Sequence, residues 1–195
     1  MKLFVLPLKK PIYLTIFFLF SCLVQAQEYA LLNDVSFIEV SGTSTLHDWH
    51  VDGEEQSGVL KLSGEESPSI KELLFKVKAE SLKSGKSSMD KNTYKALKTD
   101  KYKDIIFEYK KTNTSVKKDL NTYTISVNGT LTVTGVSKNV DLNLEVIIEG
   151  DLIKINGKKD ILMTDFEIDP PKALLGTIKT GNEITITYKS VFQTN

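Results

Sequence analysis

The chain has 195 residues, 41% of them hydrophobic and 26% charged, and its 25 lysines balance 25 acidic residues with no arginine at all. That composition excludes a long disordered acidic or basic chain and fits one globular domain. It also argues against a nucleic-acid partner, since there is neither a basic excess nor an arginine to grip phosphate or guanine with two bonds.

Residues 1–26 read as an address. Lys2, Lys9 and Lys10 precede or begin an uncharged, mostly apolar run of 14 residues, Pro11–Val24, and Val24-Gln25-Ala26 then offers small residues at the cleavage-reading positions. A membrane span needs about 20 apolar residues, so the expectation is a cleaved secretory signal peptide followed by a periplasmic or secreted domain over residues 27–195. Leu19-Phe20-Ser21-Cys22 approximates a bacterial lipoprotein box in which Cys22 would be acylated, but Phe20 is bulky for that box. Cleavage after Ala26 would remove three lysines and the only cysteine, leaving 22 lysines against 25 acids, a charge of −3, and no disulfide or thiol chemistry.

The remainder reads almost entirely as strands. In chain order, Val35–Thr43, Val51–Leu62 and Ile70–Ala79 are strand candidates. Ser88–Thr99 is the one helical stretch: Ser88 or Asp90 can cap it, and Met89, Thr93, Ala96 and Leu97 share a face. Ile105, Phe107 and Tyr109 alternate with Glu108 and Lys110. From Thr122 to Thr134, Tyr123, Ile125, Val127, Leu131 and Val133 fall on one parity and seven polar residues on the other, a period of two held over 13 residues that a helix would not give. Gly135 turns the chain into Val136–Glu149, where Leu142, Leu144 and Val146 alternate again. Leu152–Asn156 and Ile161–Ile168 follow, then Glu183–Lys189 with Ile184, Ile186 and Tyr188 in step. Glu149-Gly150-Asp151 and Asn156-Gly157 carry hairpin-turn chemistry. Long antiparallel strands with one apolar parity each bury it in a closed barrel or a two-sheet sandwich, and strands of this length favour a barrel of about eight. Alternation alone does not say whether its interior is filled or hollow.

Few residues could carry chemistry. The only two histidines flank the only tryptophan in His47-Asp48-Trp49-His50. In a strand, His47 and Trp49 point one way and Asp48 and His50 the other, so the histidines share a metal only if the segment turns. The favoured reading is a bend in which Asp48 bonds nearby amides and Trp49 plugs one barrel end. Asp165, Glu167 and Asp169 alternate with Phe166 and Ile168, which suggests a solvated outer face with the apolar pair inside. No nucleophile elbow, phosphate loop or Cys–His pair is present.

Four segments, read in order, carry a family resemblance. They are Ser41-Gly42-Thr43-Ser44-Thr45-Leu46-His47-Asp48-Trp49; Ser81-Leu82-Lys83-Ser84-Gly85 with the short helix that leads to Ile105-Ile106-Phe107; Gly129-Thr130-Leu131-Thr132-Val133-Thr134-Gly135-Val136-Ser137-Lys138; and Met163-Thr164-Asp165-Phe166 through Pro171, with Gly181–Ile186. From about Tyr29 to Phe192 the chain resembles the YceI-like family of secreted polyisoprenoid-binding proteins. The resemblance implies an all-β, antiparallel, lipocalin-like barrel with one short helix and a hydrophobic tunnel. It also implies a periplasmic location, and no catalytic residue or cofactor.

The expectation is therefore a binding protein, not an enzyme. Its partner would be an apolar lipid, a polyisoprenoid or isoprenoid quinone, with no nucleic acid and no metal. The expected lining is Trp49, Phe107, Tyr109, Ile125, Val127, Leu131, Val133, Leu142, Leu144, Phe166 and Ile186. An exposed tunnel mouth would seek apolar cover, which makes a membrane-surface contact and a homodimer further expectations. The alternatives are a metal-assisted hydrolase built on His47, Asp48 and His50, and a packed barrel with a stress or interaction role and no ligand.

Overall fold

The computed structural model describes residues 27–64 and 68–194, so the expected signal peptide and Cys22 lie outside the described residues. Among the described residues, twelve strands and one α-helix, with four 3₁₀ turns, make up the fold. Strands β1 (Gln27–Leu31), β2 (Phe37–Ser44), β3 (Trp49–Gly53), β4 (Gln56–Ser63), β5 (Ser69–Lys78) and the short β6 (Leu82–Lys83) precede helix α1 (Ser87–Leu97). After it come β7 (Asp104–Lys117), β8 (Thr122–Val133), β9 (Val136–Glu149), β10 (Leu152–Leu162), the short β11 (Lys172–Ala173) and β12 (Ile178–Thr194).

Eight strands close a ring in the order β1, β4, β5, β7, β8, β9, β10, β12, with β12 returning to β1, and every pairing is antiparallel. The 17-residue β12 makes closure possible. Its last residues pair β1, from Tyr29–Thr194 to Leu31–Phe192, and its earlier part pairs β2, from Lys189–Phe37 to Thr180–Ser44. Strands β2, β3 and β6 thereby extend the wall at the end where α1 sits.

The alternation in β8 is reproduced in full: Tyr123, Ile125, Val127, Gly129, Leu131 and Val133 are buried and every residue between them is half-buried. Thr134 and Gly135 join β8 to β9 with φ of 50° and 76°, two left-handed residues in a row, the hairpin geometry that matches strand twist. Thr134 is held there by its buried hydroxyl, which donates to the Phe166 carbonyl at 2.6 Å. Gly135 has no substitute, because a methyl at its Cα would fall 2.4 Å from the Tyr102 ring.

Five expectations need correction. Val51–Leu62 is two strands, not one: the chain turns a corner at Glu54 and Glu55, where the Glu54 amide donates to the Ser81 carbonyl. The strand expected from Val35 starts at Phe37, after a 3₁₀ turn at Asn33–Val35. Asn156-Gly157 is not a turn, since β10 runs straight through it and Gly157 pairs Tyr188, the missing side chain making room for the ring. Ile161–Ile168 ends as a strand at Leu162 and coils into a 3₁₀ turn over Met163–Phe166, which tucks Met163, Phe166 and Ile168 inward. In α1 neither Ser88 nor Asp90 caps the N-terminus; Asp90 reaches back to accept from the Ser84 hydroxyl at 2.6 Å and amide at 2.8 Å, which holds its carboxyl below the usual range.

Replacing Gly135 by Ala should lower stability by about 1–3 kcal/mol, from backbone strain and the collision with Tyr102. Urea denaturation with an unchanged slope and a lower midpoint would show it.

Candidate functional site

The barrel is packed at one end and hollow at the other. Leu60, Ile125, Val127, Val146, Ile153 and Phe192 are all but inaccessible and form the packed half with Tyr29 and Tyr123. Beneath α1 lies a cavity of about 360 Å³. Its walls come from Val40 and Trp49 at the rim strands, from Val133 of β8, and from Phe166 and Ile168 of the inward coil. The helix supplies the cover: Met89, Thr93, Ala96 and Leu97, the face expected from sequence, all look onto it. A second chamber of about 90 Å³ lies deeper, bounded by Phe75, Phe107, Leu131, Leu142, Leu144 and Tyr188. Ile38, Val77, Ile105 and Ile186 border both chambers, so the two adjoin across these apolar side chains, one beneath the helix and one toward the packed half.

The expected lining residues divide three ways. Trp49, Val133 and Phe166 line the large chamber, Phe107, Leu131, Leu142 and Leu144 the small one, and Ile186 both. Ile125 and Val127 face inward, but in the packed half, where neighbouring side chains fill the space. Tyr109 lies against that same core, its hydroxyl 3.1 Å from the Thr112 hydroxyl. None of these three is on the cavity wall. Periodicity could not separate them, because it tells inside from outside and not one end of a strand from the other. At the junction of the chambers stand Ile105, which alternation marked as an apolar position, and Ile38 and Val77, which the sequence placed only within strands.

The His47–His50 segment builds the mouth. The bend is tied by Ser44 and not by Asp48: the Ser44 hydroxyl accepts from the amides of Leu46 and His47, both at 3.2 Å, and donates to the His47 carbonyl at 2.7 Å. Trp49 turns its ring to the cavity and donates from Nε1 to the Thr43 carbonyl at 3.0 Å. His47 sits at the rim, while His50 points to the outer wall, across from Ser41. The trio of His47, Asp48 and His50 is therefore not assembled. Among the described residues His50 instead neighbours Glu39 and Asp52, with one donor atom of each within 4.8 Å of the others, on the outer wall and away from the cavity. Asp165, Glu167 and Asp169 are exposed, with Phe166 and Ile168 buried between them, as the alternation suggested.

Residues 29–192 match the YceI-like domain. The chain belongs to that family. Solved structures agree on the fold. Burkholderia cenocepacia BcnA superposes with a TM-score of 0.69 at 15% identity, covering 83% of this chain and 98% of its own. A polyisoprenoid binding domain from Saccharophagus degradans, described as implicated in plant cell wall breakdown, gives 0.68 at 14% identity, with 88% and 100% covered. The Campylobacter jejuni YCEI protein gives 0.56 at 22% identity, with 73% and 83% covered. A comparison with curated proteins finds no match.

The contrast between the two halves of this YceI-like barrel can be measured on one strand. Val127→Ala opens a new void in packed surroundings and should cost about 2–3 kcal/mol, two methyl groups at about 0.8 kcal/mol each plus the cavity. Val133→Ala only widens an existing space and should cost about 1 kcal/mol less. Equal losses in chemical denaturation would mean that the helix end is as tightly filled as the other.

Proposed function

We propose that this protein binds a long apolar lipid, a polyisoprenoid or isoprenoid quinone, inside the barrel, and that it does so as a secreted or periplasmic carrier and not as an enzyme. The observation that carries the reading is the pair of adjoining apolar chambers, one beneath α1 and one deeper in the barrel. Family membership and the Saccharophagus polyisoprenoid binding domain of the same fold support it. The secreted location rests on the character of residues 1–26.

Magnitudes favour a long ligand. Each buried methylene contributes about 0.8 kcal/mol. Association costs on the order of 8 kcal/mol in lost freedom, and micromolar affinity needs about 8 kcal/mol net. A ligand held by apolar contact alone therefore needs roughly 20 buried carbons, which a polyprenyl tail supplies and a short fatty chain does not.

The mouth also suits a membrane surface. Leu46 and Leu175 project from it, 65% and fully exposed, on two turns stitched together by the Thr45 amide donating to the Lys179 carbonyl at 3.0 Å. Lys86 and Lys172 border the opening and Lys179 lies beside it. Apolar tips ringed by lysines fit a bilayer with anionic headgroups, from which a lipid could pass without crossing water.

Native mass spectrometry of the mature protein should show a discrete extra mass that extracts into organic solvent. Ile186→Trp, at the junction of the chambers, should remove that mass and weaken added polyprenol at least tenfold while circular dichroism stays unchanged. A folded variant with undiminished lipid would refute the barrel as the binding site. Changing both Leu46 and Leu175 to Asp should at least halve co-sedimentation with vesicles containing phosphatidylglycerol; equal co-sedimentation would remove the membrane contact from this reading.

A further inference from the structure

Among the described residues, the deeper chamber holds a buried phenol hydroxyl with nothing to bond. Tyr188 of β12 lies across from Gly157 of β10, so close that a methyl in place of the glycine hydrogen would sit 2.3 Å from the phenol oxygen. The hydroxyl is buried, has no hydrogen-bond partner among the described residues, and is pushed by burial well above the usual phenol range. Buried hydroxyls are nearly always satisfied, because leaving one unpaired costs the full desolvation of the donor. A phenylalanine would fill the same space without that cost. Among the side chains around this chamber, Phe75, Phe107, Leu131, Leu142, Leu144 and Ile186 offer no acceptor, and the buried Ser190, two residues along the same strand, makes no bond to Tyr188.

The wall beside it is unzipped. The β9–β10 ladder ends at Glu145–Asn156, although β9 stays paired to β8 as far as Val136, and β10 stays paired to β12 as far as Leu162. Residues 136–144 and 157–162 thus face each other without a ladder. Val140 and Leu142 on one lip and Lys159 on the other border the chamber. Lys159 shares the inward parity of Ile155 and Gly157. It makes no ion pair among the described residues, though its charge helps hold the Asp141 carboxyl below the usual range, after the hydrogen bonds from Asn128 and Asn113.

We propose that this seam is the polar end of the binding site, where the Tyr188 hydroxyl donates a hydrogen bond to a carbonyl or hydroxyl oxygen on the head of the bound lipid. The inference rests on the lipid-binding reading and adds the lipid's orientation: head at the seam between β9 and β10, tail in the large chamber under α1. The head is neutral. A phosphate would bring about two negative charges into an apolar chamber with a single lysine at its lip, and a buried charge without full pairing is costly. Lys159 is a second donor, at the water-facing edge of the seam.

The test compares three lipids on the full mature chain: a benzoquinone with an isoprenoid tail, a polyprenyl phosphate, and squalene, a hydrocarbon with no oxygen. Trp49 emission reports binding. Tyr188→Phe should lower the quinone-to-squalene affinity ratio about tenfold, and Lys159→Met should lower it by a smaller factor. Tyr188→Phe should leave the thermal midpoint equal or higher, since the hydroxyl has no protein partner to lose. An unchanged ratio in Tyr188→Phe overturns the head-group assignment while leaving lipid binding standing. Tighter binding of the phosphate than of the quinone, abolished by Lys159→Met, overturns the neutral head. Failure of all three lipids to bind the unaltered protein overturns the lipid-binding reading itself and this inference with it.

Discussion

Closing a sheet into a ring turns every strand's apolar row toward one shared interior, and that interior must then be filled by side chains or by something else. In this protein the two halves meet the demand differently. Aromatic rings occupy the half distant from the helix, where Tyr29, Tyr123 and Phe192 meet Leu60 and Ile153 and almost nothing is accessible. Toward the helix the wall includes Val40, Val51, Val77 and Val133, with the larger Trp49 and Phe166 at the mouth and on the inward coil. Short β-branched side chains suit the strand but do not reach across the ring. The space beneath the helix opens beside these positions.

The helix completes the enclosure at low cost to the fold. Eleven residues are too few to hold a helix in isolation, and none of those in α1 is fully buried. What keeps it in place is local: Asp90 on Ser84, the Tyr94 hydroxyl donating to the Leu82 carbonyl at 3.1 Å, and Lys83 donating to Tyr94 at 2.6 Å. Its apolar face looks onto the cavity, with Met89, Ala96 and Leu97 packed against the apolar side chains at its edges. A cover fastened chiefly along one side, over an apolar void, is drawn from the less stable part of the molecule, as elements that admit ligands commonly are. An apolar tail beneath Met89, Ala96 and Leu97 would supply the packing that the protein itself leaves out.

How much of this was legible in the sequence follows from what periodicity measures. A period of two reports which side of a wall a residue faces, so β8 and the helix face Met89, Thr93, Ala96 and Leu97 were readable residue by residue. It carries no information about position along the barrel axis. That is why Ile125 and Val127 were grouped with Leu131 and Val133, although a filled half and a hollow half separate them. Local turn chemistry misled at Asn156-Gly157, where the glycine makes room for Tyr188 across the sheet, a partner more than 30 residues away that no local rule sees. The same distance hid Lys159. Flanked by Lys158 and Asp160 it reads as surface, and only the register with β12 turns it inward.

The His47–Trp49 segment shows how a chemically suggestive motif can serve shape. Ser44 bends the chain, the bend brings Leu46 to the rim, and the Trp49 ring becomes part of the wall with its nitrogen satisfied by Thr43. Each histidine is then left where the bend puts it, one at the mouth and one on the outer wall. The mouth and the seam between β9 and β10 thus give the cavity two unlike boundaries. One is apolar and bordered by lysines; the other presents the unpartnered Tyr188 hydroxyl beside an unpaired stretch of wall. An amphiphile has two unlike ends, and a hydrocarbon does not. On the proposed reading, the pairing of boundaries with ends, more than the volume of the cavity, would select the ligand.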